Sequence, residues 1–240
     1  MWTPTALASE AREYRGEVWR IVEAQHRIST NRLADSLADQ ARLEALAEVA
    51  KPDLPKAAQG LHHLLAAPFR YGHGVASRFR RANERPGIFY ASEAEATAIS
   101  ETAYWRLRFY TRSPGFTPPS ATSEHTSFTV KLASDRALDL TQAPFASRVA
   151  ELTSTTDYTA CQDVAASARL AQIALIRTVS ARDAERRCNA LVLDPSAFAA
   201  RKPTIRRTWH LRFDSGRLIA LAAFPSERRH VFASADFGLG

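Results

Sequence analysis

Apolar side chains recur at helical spacing near the start of the chain. The pattern covers residues 9–27 and then residues 30–50, where leucines stand three or four positions apart. It predicts two helices that pack on one face, the second of them capped by Thr30 or Asn31. Two prolines then end the second helix, and a shorter leucine-rich helix follows. We therefore interpret residues 1–66 as an N-terminal helical extension.

Beyond residue 66 the pattern changes from helical to mixed. Short extended segments between turn-forming residues are predicted at 69–71, 78–80 and 87–90. Ser92 is predicted to cap a helix that runs to about Thr111, and Glu95, three residues after Ser92, would complete a capping box. Residues 113–125 are rich in Pro, Ser and Thr and predict a loop.

The second half of the chain alternates between predicted strands and helices. Strands are predicted at 127–132, 137–140, from 173 onward and at 188–193, and helices near 145–152 and 157–171. Alternating residues on both sides of Ser215 and Gly216 predict a C-terminal hairpin. No repeat is visible, so residues 67–240 are interpreted as one compact α+β unit that carries the helical extension.

The composition is that of a globular protein, with 45% hydrophobic and 24% charged residues in a chain of 240. The longest apolar run, LIALAAF at 218–224, is far shorter than the roughly 20 residues that span a bilayer. The first residues do not show a basic segment followed by an apolar one, as a secretory signal would. We therefore expect a cytoplasmic protein.

Cysteine and histidine offer no recognisable metal-binding pattern. Cys161 and Cys188 are the two cysteines, and the seven histidines show no ligand spacing such as HExxH. We expect two reduced, buried thiols and no metal site. The GHG at 72–74 lacks the further glycines or lysine of a dinucleotide-binding or P-loop motif.

The charge of the chain is strongly basic and comes almost entirely from arginine. The formal net charge is +7, and four of the 32 basic residues are lysines. Arginine suits phosphate binding, so the ligand could be nucleic acid or a phosphorylated small molecule. Arginine-rich codon usage would give the same excess without a function. Dense basic groups occur at 78–81 and 201–207, whereas the other basic residues are dispersed among 25 acidic ones.

Glu101 is an unusual residue for its surroundings. The helix predicted from Ser92 is apolar on nearly every face, which indicates that it is buried and that Glu101 is buried with it. A buried carboxylate is costly unless it is paired or hydrogen-bonded. We therefore expect Glu101 to face a polar cleft or an arginine. The candidate arginines are Arg78, Arg80 and Arg106.

A second polar group follows the predicted strand that begins at residue 173. Ser180 and Arg182 come directly after that strand, and Asn189 begins the next one. Loops in this position often contact ligands in α/β sheets. Ser180 lacks the GxSxG context of a hydrolase nucleophile, which argues against a serine hydrolase.

Several ordered blocks of the sequence resemble the RES domain family, toxins of bacterial toxin-antitoxin pairs. The blocks are VWRIVEAQHR, PFRYGHGVASRFRRANERPGIFYASEAEATAISETAYWR, DYTACQDVAASAR, TVSARDAERRCNALVLDPSAF and TWHLRF. The resemblance implies an ADP-ribosyltransferase-like fold, similar to that of diphtheria toxin, for residues 67–240. It also implies that NAD is the substrate and that no metal is needed.

The resemblance assigns roles to individual residues. It implies that Arg78, Tyr90 and Glu101 are catalytic, with Arg78 preferred over Arg80 although GVASRF departs from the tighter Gly-Ser-Arg spacing of the family. The residues implied to bind NAD are Arg78, Tyr90, Ser180, Arg182 and Asn189. The implied reaction breaks the nicotinamide-ribose bond, with water, phosphate or a protein side chain accepting the ADP-ribose.

The same resemblance implies that the protein arrests growth by depleting NAD. It also implies a cognate antitoxin with a helix-turn-helix segment, which would block the cleft and end the arrest. Any contact with nucleic acid would then pass through the antitoxin. The N-terminal helices could cover the sheet, form a homodimer or hold the antitoxin. Two other classes remain open: a basic nucleic-acid-binding protein, and an interaction domain without catalytic activity.

Overall fold

The computed structural model describes residues 2–24, 33–113, 115–118 and 121–239. Within them the chain folds as α+β, with one mixed eight-stranded sheet and helices against it. The helices are α1 Pro4–Ser9, α2 Leu37–Val49, α3 His63–Arg70, α4 Glu95–Arg112, α5 Val149–Leu152 and α6 Thr159–Leu170. The strands are β1 Arg12–Glu23, β2 Phe89–Ser92, β3 Ser123–Asp139, β4 Leu175–Val179, β5 Cys188–Val192, β6 Thr204–Asp214, β7 Arg217–Ala222 and β8 Arg229–Ala233.

The sheet branches at the long strand β3. The strand order is β1-β2-β5-β4-β3-β6-β7-β8, and β1 also pairs with β3, so the first five strands close into a ring. One edge of β3 pairs with β1 along most of its length, while the other edge pairs first with β6 and then, parallel, with β4. The side chains of β1, β2, β4 and β5 are thereby brought close together in space.

The helix predicted over residues 9–27 is wrong for most of that segment, because Arg12–Glu23 forms β1. Val18, Trp19, Ile21 and Val22 fit a helix by spacing, but they are β-branched or aromatic, which favours a strand. The pairing of β1 with β3 decides between the two, and it places Val18 in the core. The first 66 residues are therefore not a purely helical layer.

Several other helical predictions are confirmed with shifted ends. The second predicted helix is α2, which begins after Ser36, whereas the predicted caps Thr30 and Asn31 lie outside the described residues. The short helix after the prolines is α3. It extends through Phe69 and Arg70, so the extended segment predicted at 69–71 is wrong.

The strand predictions for the second half of the chain are largely confirmed. The segments 127–132 and 137–140 belong mainly to the single strand β3, and the predicted hairpin is β6–β7. Ser215 and Gly216 form its turn with positive φ values of 50° and 77°, a conformation that glycine adopts without strain. The last strand, β8, was not predicted from the sequence.

The predicted capping box at the start of α4 is wrong. Ala94 occupies the N-cap position, and the Ser92 hydroxyl donates instead to Asn189 on β5. Glu95 is buried and accepts hydrogen bonds from Ser127 and Trp209. The start of α4 is thus fixed by contacts with the sheet rather than by local capping.

No helix in the described part of the chain is both long and apolar enough to cross a lipid bilayer.

Candidate active site

A cleft of about 530 Å³ opens between β1, α3, the loop before β2, α4 and the segment that follows β4. Five of the six residues selected from the sequence line this cleft: Arg78, Tyr90, Glu101, Arg182 and Asn189. Ser180, the sixth, is buried behind it and touches Glu101. Residues from five separate segments of the chain are thus brought to one place.

Glu101 is half-buried in the wall of the cleft, on α4. Its Oε1 accepts hydrogen bonds from Ser180 Oγ at 2.7 Å and from Asn189 Nδ2 at 2.6 Å. Among the described residues, Oε2 accepts no hydrogen bond. One oxygen is therefore held by the protein, while the other is free to accept a hydrogen bond from a ligand.

Of the two alternatives expected for Glu101, the polar cleft is found, and an ion pair with arginine is not found within the described residues. Arg106 pairs with Glu23 at 2.7 Å, and Arg80 donates to backbone carbonyls. Arg78 also donates to other partners, on β4. Glu101 is less buried than expected, because it borders the cleft and retains solvent contact. Two neutral donors hold the carboxylate in place, so its negative charge is not cancelled by a neighbouring cation.

Asn189 is oriented by its neighbour on the next strand. Ser92 and Asn189 lie opposite each other in the β2–β5 pair, and Ser92 Oγ donates to Asn189 Oδ1 at 2.7 Å. Since the amide oxygen is occupied in this way, the amide nitrogen faces Glu101. The strand register thereby fixes which end of the amide meets the carboxylate.

Ser180 lies just after β4, and its hydroxyl uses its full capacity of one donated and two accepted hydrogen bonds. Its hydroxyl donates to Glu101 and accepts backbone N–H bonds from Arg182 at 3.1 Å and Asp183 at 3.2 Å. The residue is 1% exposed. This geometry suits a group that orients Glu101, whereas a nucleophile would need access to the cleft.

Arg78 is held by the end of the same strand. Its Nη2 donates to the Val179 carbonyl at 2.8 Å and to Thr178 Oγ1 at 3.3 Å, and its guanidinium lies 5.0 Å from the centre of the Phe79 ring. Thr178 and Val179 therefore contact Arg78, and the next residue, Ser180, contacts Glu101. One short segment of the chain thus anchors both a cation and a carboxylate of the cleft.

Tyr90 lies at the base of the cleft and remains a neutral phenol. Its hydroxyl and the Ser77 hydroxyl are hydrogen-bonded to each other at 2.7 Å. Burial raises the pKa of Tyr90 above its ordinary value. The phenol therefore keeps its proton at physiological pH and offers a ring and a hydroxyl to a ligand.

Arg20 is a cleft residue that the sequence analysis missed. Its Nη1 donates to the Tyr90 carbonyl at 3.0 Å, and its guanidinium lies 4.7 Å from the centre of the Phe89 ring. Burial lowers the pKa of Arg20 to about 10. The signal was present in VWRIV, where strand alternation places Arg20 on the opposite face from Trp19, but a helical interpretation of the segment concealed it.

Arg182 is buried and mostly occupied by contacts within the protein. Its guanidinium stacks 3.6 Å from the centre of the Tyr104 ring, and Nη2 donates to Tyr158 at 2.9 Å and to the Thr155 carbonyl at 3.2 Å. Its own carbonyl accepts a hydrogen bond from Ser100, the residue before Glu101. These contacts fasten the segment after β4 onto α4.

The charges in the cleft are unevenly distributed. Among the described lining residues Glu101 is the one carboxylate, whereas the arginines are Arg20, Arg78, Arg80 and Arg182. None of these four guanidinium groups has a carboxylate oxygen within 4.0 Å in the described part of the chain. A cleft with uncompensated arginine charge favours an anionic ligand.

The two donors to Glu101 give a first testable prediction. Asn189→Asp would place a second carboxylate against Glu101, and two such groups at hydrogen-bond distance share a proton because both cannot ionise easily. Activity that depends on the charge and orientation of the Glu101 carboxylate is therefore expected to fall by about tenfold or more. The reaction rate of the purified variant measures the effect, and a rate equal to that of the wild type would contradict it.

No group of three or more potential metal-ligating side chains occurs among the described residues. Both cysteines are free thiols. Cys161 is buried as expected, and burial raises its pKa to about 11, whereas Cys188 is half-buried rather than buried.

Comparisons with known proteins give a family match over the cleft. The family model described as "RES domain" matches residues 54–214, a range that includes Arg78, Tyr90, Glu101 and β4–β5 but not β1. A search of curated proteins gives no match. One similar solved structure is the crystal structure of the M.tuberculosis MbcT-MbcA toxin-antitoxin complex. It has 13% sequence identity and a TM-score of 0.48, and the alignment covers 86% of this chain and 92% of that chain.

Proposed function

The chain belongs to the RES domain family, because the family model matches well over half of it, and we propose that it cleaves NAD at the bond between nicotinamide and ribose. The observation that carries this proposal is Glu101, the one carboxylate among the described residues that line the cleft. Glu101 has one oxygen fixed by Ser180 and Asn189 and the other free, and the lining arginines have no carboxylate partner in the described part of the chain. A dinucleotide matches this pattern, since it combines a pyrophosphate anion with a ribose that becomes cationic as nicotinamide leaves.

Cleavage of the glycosidic bond passes through an oxocarbenium-like ribose. The free Oε2 of Glu101 would accept a hydrogen bond from a ribose hydroxyl, and the negative charge of Glu101 would stabilise the developing positive charge. Ser180 and Asn189 would act through Glu101 by holding Oε1. Ser180 was expected from the sequence to contact the dinucleotide, and its burial favours this indirect role instead.

The remaining cleft residues suit the other parts of NAD. Arg78 and Arg20 present guanidinium groups to the cleft and would bind the pyrophosphate. The ring of Tyr90 would stack on the nicotinamide. Arg182 would contribute positive charge while it holds the wall of the cleft. The branched sheet that carries these residues would then be the core of an ADP-ribosyltransferase-like fold.

The direct test follows free nicotinamide released from NAD by the purified protein, with Arg78→Ala and Glu101→Ala as variants. Release that depends on both residues supports the proposal, and release unaffected by either contradicts it. Analysis of the second product identifies the acceptor of the ADP-ribose. Free ADP-ribose indicates water, ADP-ribose 1″-phosphate indicates inorganic phosphate, and modified protein indicates a side chain.

Arg78→Ala gives a second prediction. Loss of a charge-assisted contact with phosphate is worth roughly 1.5–3 kcal/mol, which corresponds to about a 10- to 150-fold rise in KM for NAD. We expect kcat to change less than KM, because Arg78 is proposed to bind the pyrophosphate rather than the reacting ribose. Steady-state kinetics with NAD separate the two constants. A fall in kcat at unchanged KM would contradict this role.

The family also supports a biological role as a toxin, held inactive by an antitoxin with a helix-turn-helix segment. Such a partner would occlude the cleft and stop NAD loss. The test is to express the chain with and without the product of the neighbouring gene and to measure growth and NAD content. If neither toxicity nor co-purification is seen, the toxin role is contradicted, even if NAD cleavage is found in vitro.

Direct nucleic-acid binding receives less support from the two dense basic groups. Arg206 pairs with Glu17 at 2.9 Å, and Arg207 approaches the buried Glu95. In the other group, Arg81 pairs with Asp163 at 2.6 Å. Since these three arginines are paired within the protein, they contribute little to an open stripe for a phosphate backbone.

A further inference from the structure

Arg80 is buried next to the cleft and contacts its own loop rather than a carboxylate. It is 7% exposed, and its guanidinium donates from Nη1 to the His73 carbonyl at 2.9 Å and from Nη2 to the Val75 carbonyl at 2.8 Å. Among the described residues it forms no ion pair. The charge of Arg80 is thus used to fasten backbone that lies five to seven residues earlier in the chain.

The fastened loop carries two side chains of the candidate site. Backbone bonds of 2.9 and 3.2 Å between Ser77 and Arg80 close a tight turn, with Arg78 and Phe79 between them. Phe79 is fully buried in the core, whereas Arg78 lines the cleft. Ser77 holds the Tyr90 hydroxyl. The conformation of this turn therefore determines where the Arg78 fork and the Tyr90 hydroxyl are placed.

We infer that Arg80 is a positioning residue, which fixes the loop at 73–80 so that Arg78 is held ready to bind phosphate in the cleft. This inference rests on the proposed function. A guanidinium that is already held in place loses less conformational entropy on binding than a mobile one. The affinity of Arg78 for phosphate therefore depends on how firmly the loop is held. Two parallel N–H donors reach two carbonyls at once, which the single ammonium of lysine cannot do with the same geometry.

The opposite side of the turn is held by α6 and gives a matched control. The tether is Gln162, whose Nε2 donates to the Ser77 carbonyl at 3.1 Å. Arg81 forms an exposed pair with Asp163, and such a pair contributes little to the position of the turn. Arg81 is not among the residues lining the cleft. Arg81→Met therefore removes the same charge from the neighbouring position without touching the contacts of Arg80.

A double-mutant cycle on ligand binding tests the inference. The probe is ADP-ribose, which retains the pyrophosphate and cannot release nicotinamide, and affinity is measured by calorimetry for wild type, Arg80→Met, Arg78→Ala and the double variant. We expect Arg80→Met to weaken binding about tenfold in the wild type and less than about twofold when Arg78 is already alanine. Arg80→Lys should recover only part of the loss, and Arg81→Met should bind within about twofold of wild type.

The cycle separates positioning from direct contact and from general destabilisation. Equal losses in both backgrounds, or no loss in either, would overturn the inference, since both mean that Arg80 does not act through Arg78. If Arg80→Met fails to fold, as judged by circular dichroism, the same cycle is run with Arg80→Lys. Wild type that binds no ADP-ribose would contradict the proposed function along with the inference, whereas binding without coupling contradicts the inference alone.

Discussion

Glu101→Gln is expected to lower the rate of nicotinamide release from NAD by about 10²- to 10³-fold or more, because it removes the charge that would stabilise the cationic ribose. The fold should persist. Glutamine keeps Oε1, which can still accept from Ser180 and Asn189, and its amide nitrogen then replaces the free Oε2 facing the cleft. The substitution thus converts the acceptor that Oε2 offers to a ribose hydroxyl into a donor.

The measurement compares kcat for NAD in the wild type, Glu101→Gln and Glu124→Gln. Glu124 is exposed on β3 and does not line the cleft, so its substitution removes an equal charge without touching the site. Binding of ADP-ribose to Glu101→Gln shows that the cleft remains intact. A Glu101→Gln enzyme that releases nicotinamide at the wild-type rate would disprove the role given to this carboxylate.

Glu95→Ala is expected to lower the free energy of unfolding by about 2–4 kcal/mol, because two buried donors, Ser127 and Trp209, would lose their charged acceptor. The Glu95 carboxylate is 7% exposed and lies 3.1 Å from both Arg207 Nε and Arg228 Nη1. It also accepts hydrogen bonds from Ser127 Oγ at 2.8 Å and Trp209 Nε1 at 3.1 Å. Its loss would leave Trp209, which is fully buried, without a partner for its indole N–H.

Urea unfolding followed by circular dichroism measures this effect, with Glu124→Ala as the exposed control, expected to stay within about 0.5 kcal/mol of wild type. Glu95→Gln should recover only part of the loss, because its amide N–H₂ would face a guanidinium. A Glu95→Ala variant as stable as the control would show that the cluster contributes little to stability. Glu95 does not line the cleft, so ADP-ribose affinity at low temperature should be retained.

The helices and strands that local pattern specifies strongly could be predicted from the sequence. Both β4 and β5 are short apolar runs, and the β6–β7 hairpin is marked by its Ser-Gly turn. The strand β1 could not be identified in this way, because the spacing of its apolar residues fits a helix as well as a strand. Its pairing with β3, which is distant in sequence, favours the strand. Long-range pairing overrode the local pattern there.

The residues of the candidate site were selected by resemblance and residue type, but their contacts were beyond the sequence. Arg78 donates to Val179, 101 positions away, and Asn189 donates to Glu101 across 88 positions. The cost of burying a carboxylate left an arginine or a polar cleft as alternatives for Glu101, and the fold supplies an amide and a hydroxyl at the edge of a cleft. Arg20 was missed because its strand was interpreted as a helix.

The segment 178–180 at the end of β4 has a consequence for how this cleft can vary. Val179 contacts Arg78 through its carbonyl, and Ser180 contacts Glu101 through its hydroxyl, so two adjacent residues anchor the cation and the carboxylate. A change in the register of β4 would therefore displace both anchors at once. Substitutions elsewhere in the walls can alter how tightly a ligand is bound while both anchors stay in place.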